Sequence, residues 1–235
     1  MKETFMVVTG DAYPEGNAGA VRTHAFAKIL SESGYSPFII GMGSSTSFQK
    51  REYDGIPYYS LRYARKDLFS RFASRVLFGH NVKKAVKHCD MSKIDGIMYV
   101  SGGGVALRYV KKLSKRYGIP LYFDSVEWYS PGEFRMGVFS PAYIANNRLN
   151  THGIDRNFRV FSISTFLEDH FNKRGISTVR IPVIMDVQSM PARVTREFSD
   201  TSDKIRIVYA GSPGKKDQLR ELVEAIALLS AEEQN

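Results

Sequence analysis

Phe5-Met6-Val7-Val8, a polar stretch from Gly10 to Gly19, and Pro37-Phe38-Ile39-Ile40 closed by Gly41 decide the fold. Each apolar run is short and uninterrupted, the pattern of a strand buried on both faces of a parallel sheet. Between them, from Ala20, the residues Val21, Ala25, Phe26, Ile29 and Leu30 recur at helical spacing, and Gly34 supplies the stop. A strand–helix–strand connection of this kind is right-handed and parallel, with its helix on one face of the sheet.

Working outward, Tyr53 to Leu61 alternates around Gly55, which predicts a small hairpin or an edge strand. Lys66 to His88 is helical by period, and Ile94 to Val100 is a strand. Gly102-Gly103-Gly104 then leads into a helix carrying Val105, Leu107, Val110 and Leu113. Pro120 to Phe123, Val160 to Ile163 and Val179 to Ile181 are further strands, with Phe166 to Phe171 on a helix before the last of them. The alternation predicts an α/β, Rossmann-like, doubly wound parallel sheet over residues 1–185. Residues 186–203, rich in Ser, Thr and mixed charge, read as a linker. Residues 204–235 then open a second unit: a strand at Ile205 to Ala210, a loop from Gly211 to Lys216, and a helix with Leu219, Leu222, Val223, Ile226 and Leu229. One such unit cannot bury its own apolar faces. It is expected to begin a truncated second Rossmann-like domain, the alternative being an added edge of the first sheet.

With 235 residues, 43% hydrophobic and 24% charged, the chain can bury one sizeable core, and disorder or collagen-like repeats are excluded. The single cysteine, Cys89, rules out an internal disulfide or a Cys-rich zinc site and fits a reducing cytoplasm. No run approaches the ~20 apolar residues of a membrane helix, and no signal-peptide core is visible. A soluble, cytoplasmic protein is expected. The formal charge of +9 points to anionic partners. Ten basic and four acidic residues lie between Lys50 and Asp90, interleaved with Leu68, Phe69, Phe72, Val76, Leu77 and Phe78. A basic amphipathic helix here would lie either on an anionic membrane face or, as an ordinary surface helix, with its apolar side on the sheet.

Ligands of doubly wound sheets bind outside the carboxyl ends of the strands, where Gly10–Gly19, Gly41–Ser45, Ser101–Gly104, Asp124–Phe134 and Gly211–Lys216 should converge. Gly16-Asn17-Ala18-Gly19 enters a helix whose free N–H groups favour an anion, with Arg22 beside it, although a tight strand-to-helix turn also accounts for the two glycines. His24 alone reads as a satisfied packing residue. Asp124-Ser125-Val126-Glu127-Trp128-Tyr129 sets two carboxylates, the only tryptophan and a tyrosine directly past a strand. That mixture suits a carbohydrate; equally, Asp124 could cap the loop and Trp128 could fill a gap beneath it. Gly211, Lys215 and Lys216 offer backbone amides and point charges to a diphosphate, although the Walker spacing fails; the alternative is a solvated lysine pair at a turn. No metal-ligand spacing, no nucleophile elbow and no nucleic-acid motif accompanies them.

Together these segments resemble family 4 glycosyltransferases, retaining enzymes of the GT-B fold. The likeness rests on Gly16 to Gly19 running into Val21-Arg22-Thr23-His24; on Asp124 to Tyr129; on Ser162 to Leu167; on Arg180-Ile181-Pro182 ahead of Asp186; and on Ile207 to Asp217. It covers this whole chain and about the first three-fifths of such an enzyme. The resemblance implies an acceptor-side domain followed by the start of a nucleotide-sugar domain. A sugar would pass from a nucleotide-sugar donor to a cell-surface polysaccharide or glycolipid acceptor with retention, without an obligatory metal or other cofactor. By that likeness Lys216 and Gly211 meet the donor diphosphate, Glu127 lies near the transferred sugar, and Asp124 and Trp128 contact sugar or acceptor. Gly16, Asn17, Gly19 and Arg22 form the acceptor or anion loop. Ser212 stands where many members carry arginine, leaving Lys215 and Lys216 to supply charge. Glu224 and Glu232 have the seven-residue gap of the family's paired glutamates without its glycine-rich turn, so the pair is a coincidence. With that motif missing, the 235-residue chain alone is expected to be inactive, and peripheral association with the inner membrane face stays open. The competing expectation is a non-catalytic module that docks on a membrane or partner and carries a degenerate second domain.

Overall fold

The computed structural model describes residues 3–14, 17–43, 49–62, 68–184, 186, 207–211, 214 and 217–229, with 61, 62 and 68–76 as backbone only. One eight-stranded sheet is formed by β1 (Thr4–Ala12), β2 (Ser36–Gly43), β3 (Lys50–Tyr53), β4 (Ile56–Arg62), β5 (Ile94–Tyr99), β6 (Leu121–Ser125), β7 (Phe158–Ser162) and β8 (Thr178–Arg180). Their order is β3-β4-β2-β1-β5-β6-β7-β8, and every neighbouring pair is parallel except β3–β4. That pair is a hairpin turned through Asp54 and Gly55, both at positive φ, so the expected hairpin and the expected edge strand are one element.

The helices are α1 (Ala18–Glu32), α2 (Leu68–Val86), α3 (Gly103–Tyr117), α4 (Pro141–Arg148), α5 (Thr165–Lys173) and α6 (Leu219–Ala227). Alternation along β1 assigns the two faces. Met6 and Val8 pack with Phe78 and Val82 of α2, Ala106 and Val110 of α3, and Phe171 of α5. Phe5 and Val7 pack on the other face with Ala20, Phe26 and Ala27 of α1. Each Val, Met or Phe side chain so removed from water contributes about 1.5–3 kcal/mol before conformational entropy is subtracted, and each alanine less.

In α2, Phe78, Val82, Ala85 and Val86 belong to the core while Lys83 and Lys84 are exposed. The apolar side of this half therefore lies on the sheet, as in an ordinary surface helix, and is not available to lipid. The side chains of Arg62, Arg65, Lys66, Arg71 and Arg75 lie outside the described residues. No helix among the described residues is long and apolar enough to cross a membrane.

The strand expected at Ile205 to Ala210 is not formed in its described part, since residues 207–210 enter no ladder and Ile207 and Val208 are exposed. Helix α6 does form, with Leu222 and Val223 exposed. Most of the expected linker, 186–203, lies outside the described residues; Asp186 is its one described position.

Candidate functional site

Strand order reverses between β1 and β5. From β1 the chain passes through α1 to β2 on one side, and from β5 through α3 to β6 on the other. The carboxyl ends of β1 and β5 thus flank the crevice where doubly wound sheets take ligands. Close approach across it needs glycine: a Cβ on Gly10 would lie 2.7 Å from Gly102 Cα, and Gly102 itself sits at φ +133.

The half-buried Asp11 carboxylate is fixed in this crevice. Thr9 Oγ1 donates to its Oδ2 at 3.0 Å, and Ser101 Oγ donates to the same oxygen at 3.3 Å while accepting Gly10 N at 2.8 Å. Asn17 Nδ2 donates to Oδ1 at 3.0 Å, and Asn17 Oδ1 caps α1 by accepting from Ala20 N. Gly19 lies against the same group, for a Cβ there would meet Asp11 Oδ2 at 2.7 Å. A carboxylate has roughly four acceptor directions, so three donors leave room for one more hydroxyl. Asn17 and Gly19, expected near an anion, instead position a carboxylate, which repels anions and accepts hydroxyls. Gly16 lies outside the described residues. Asp11, Thr9 and Ser101 were missed as individuals; the signal for Asp11 was a carboxylate directly after the glycine that ends the first apolar run.

Arg22 does not face an open anion site. Its guanidinium is buried, donating from Nε and Nη2 to the two Asp124 oxygens at 2.8 and 2.9 Å. Nη1 donates to Pro182 O at 2.7 Å and Nη2 to Ile181 O at 3.1 Å. Asp124 is 2% exposed, so its acceptors serve Arg22 instead of the sugar hydroxyls expected of it. Burial pushes its carboxyl above the ordinary value, against the opposing pull of the guanidinium. The pair ties α1 to β6 and to the segment leaving β8. The hydroxyls of Thr23 and Ser125, next in sequence to this pair, and of Ser162, opposite Ser125 in the β6–β7 register, are buried without a hydrogen-bond partner among the described residues.

Farther along α1, His24 Nδ1 shares a 2.7 Å hydrogen bond with the hydroxyl of buried Tyr13, and His24 Nε2 lies 3.2 Å from Asp54. His24 is thus the satisfied residue the sequence predicts. Burial drives the Tyr13 phenol upward. Lys28 Nζ donates to Asp54 at 3.0 Å and to Asp186 at 2.8 Å, which raises its pKa through those two hydrogen bonds. Helix α1 therefore holds the exit segment twice, at Arg22 and at Lys28.

Past β6, Trp128 follows the packing alternative. Its Nε1 donates to Asn147 Oδ1 at 3.0 Å and its ring lies 4.4 Å from His170 and 5.9 Å from Phe166, centroid to centroid. Asn146 completes the staple by accepting from Tyr129 N at 3.0 Å and donating to Glu127 O at 3.2 Å. The Glu127 side chain is exposed on the loop so held. Gly211 is exposed, whereas Lys215 and Lys216 lie outside the described residues, so the diphosphate loop is not assembled among them. No three His, Cys, Asp or Glu side chains among the described residues come together as metal ligands.

Sheet order, helices on both faces and the reversal crevice define a Rossmann-like, doubly wound α/β fold. The chain is similar in structure to sucrose-phosphate synthase from Thermosynechococcus elongatus, with a TM-score of 0.59 at 8% identity over 80% of this chain and 49% of that one. Weaker matches include a glycosyltransferase from Rickettsia africae, with a TM-score of 0.41 at 15% identity over 98% of this chain and 51% of the other. A lipopolysaccharide outer core galactosyltransferase matches with a TM-score of 0.42 at 15% identity over 78% of this chain and 47% of the other. At these identities the likeness is one of fold, and the chain spans about half the length of each protein. No protein-family model matches the sequence, and no curated protein does.

Proposed function

We propose that the chain is the acceptor-side lobe of a retaining glycosyltransferase that moves a sugar from a nucleotide-sugar to a carbohydrate or glycolipid acceptor. The observation that carries the reading is the Asp11 carboxylate, oriented by Thr9, Asn17 and Ser101 at the crevice where strand order reverses. An oriented carboxylate with spare acceptor capacity suits a sugar hydroxyl, which it both binds and aligns. Donor chemistry would belong to a second lobe, with Gly211, Lys215 and Lys216 stabilising the departing diphosphate. Glu127, exposed on the stapled loop, would approach the transferred sugar from the acceptor side.

Saturation-transfer NMR of the 235-residue chain with a panel of hexoses and hexose phosphates tests the reading. Ring protons of at least one sugar should receive saturation, and Asp11→Ala should abolish it while leaving the unfolding midpoint nearly unchanged. Absence of any sugar signal, or a signal indifferent to Asp11→Ala, would refute the assignment.

A further inference from the structure

At the opposite edge of the sheet, where β1, β2, β4 and β5 begin, the protein has a cavity of about 410 Å³. That is within the range of small-molecule sites, roughly 300–1,000 Å³. Its interior is apolar and aromatic, with Phe38 and Ile94 buried and Tyr35, Ile56, Pro57 and Tyr59 beside them. Its rim is basic: Lys50, His88 and Lys93 stand against the single carboxylate of Asp90. Asp90 lies 3.3 Å from Lys93, but both side chains are more than half exposed, and such a pair is weak. Asp90 also accepts from the backbone and hydroxyl of Ser92, which further occupies it. Lys50 has no ion-pair partner among the described residues, and its charge reaches the interior, where it pulls down a Cys89 thiol that burial pushes up.

This lining discriminates among ligand classes. A cation would meet two lysines at the rim. A free sugar would meet the hydroxyls of Ser31, Ser36 and the tyrosines, but the one lining carboxylate, Asp90, already accepts from Ser92 and faces Lys93. A neutral apolar molecule would cover Lys50 without pairing it, which costs desolvation and returns nothing. We propose that the cavity binds a small organic anion, with a ring or other apolar body in the tyrosine- and proline-lined interior and its carboxylate or phosphate facing Lys50 and Lys93. The site is independent of the sugar-transfer reading, because it lies at the amino ends of the strands and shares no residue with the Asp11 crevice.

Cys89 lines the cavity and is the only cysteine in the chain, so its alkylation reports occupancy directly. Phenyl phosphate, an aromatic ring carrying a phosphate, is the probe, and N-ethylmaleimide the reagent. Phenyl phosphate should slow alkylation saturably, phenol and inorganic phosphate much less. Lys50→Met should weaken the protection about tenfold, the loss of one charge-assisted hydrogen bond. Lys50 is exposed on β3, so the variant should keep the parent circular dichroism and unfolding midpoint. Unchanged alkylation with phenyl phosphate at about 10 mM, where even a weak site fills, overturns the proposal, as does equal protection of parent and Lys50→Met. Should Cys89 resist the reagent in both proteins, amide shifts decide: changes confined to Thr4, Lys50, Tyr59 and Lys93 support the site, and their absence or their appearance at Asp11 and Ser101 overturns it.

Discussion

Arg22 in the first helix and Asp124 at the end of β6, 102 residues apart in the chain, meet as a buried fork of two hydrogen bonds, 2.8 and 2.9 Å long. Removing one partner of such a pair strands the other as an uncompensated charge. Arg22→Met should therefore lower unfolding stability by about 3–5 kcal/mol, read from denaturant titration. Arg22→Lys should recover only part of it, because an ammonium cannot form the fork. The same variant frees the Ile181 and Pro182 carbonyls, so amide exchange should quicken in the segment after β8. Parent-like exchange there would mean that α1 does not anchor that segment.

The contact between Gly10 and Gly102 gives a second expectation. An added methyl at Gly10 meets backbone, not a flexible side chain, and backbone cannot step aside cheaply. Gly10→Ala should cost roughly 1–3 kcal/mol, typical of overpacking, and weaken any ligand of the crevice along with it. A stability change near zero would show that the two strand ends can part without penalty.

Asp54 links stability to acidity. Hydrogen bonds from Lys28, then from His24, hold its carboxyl below the ordinary value of 3.8. A group with a depressed folded-state pKa contributes stability above its unfolded value and loses it as pH falls through the folded one. Thermal midpoints of the parent should fall more steeply than those of Asp54→Asn as pH drops from about 5 through the depressed folded-state value, and the two curves should converge below it. Added salt should shrink the gap, since half of the Asp54 side chain is in solvent. Parallel curves over that range would remove Asp54 from the account.

Helix α6 predicts an absence of effect. Val223 is 65% and Leu228 87% exposed, so neither side chain contributes burial. Val223→Asp and Leu228→Asp should leave the unfolding midpoint of the 235-residue chain within about 0.5 kcal/mol of the parent. A large loss from either would mean that the apolar side of α6 is covered in solution.

The sheet was legible because its strands are short apolar runs followed by glycine: β1, β2 and β5, with α1 after the first and α3 after the last, follow from period and stop signals alone. β1 nevertheless runs on to Ala12, past the polar Thr9, because Tyr13 N finds Met42 O across the sheet, a tertiary bond without local signature. Helix α4 and the π-helical turn at Leu149–Gly153 escaped notice for a related reason. Their residues show no apolar stripe; they are held by Asn146, Asn147 and Asn150, whose amides bond to the Trp128 loop and to α4 itself. At the site, the convergence of Gly10–Gly19 with Ser101–Gly104 was readable from strand order. That Arg22 would meet Asp124 rather than an anion was not, because pairing over such a separation depends on packing that no local pattern encodes.

The hairpin that begins with β3 has a consequence for how copies of the chain meet. Any open sheet ends in a row of unsatisfied amides that invites another strand. Here the outermost strand is four residues, Lys50-Arg51-Glu52-Tyr53, every one exposed and three of them charged, and the far rim, β8, is only three residues long. Neither rim offers the long neutral template that backbone-to-backbone polymerisation requires, so the molecule is guarded against fibre growth by the same hairpin that completes its sheet.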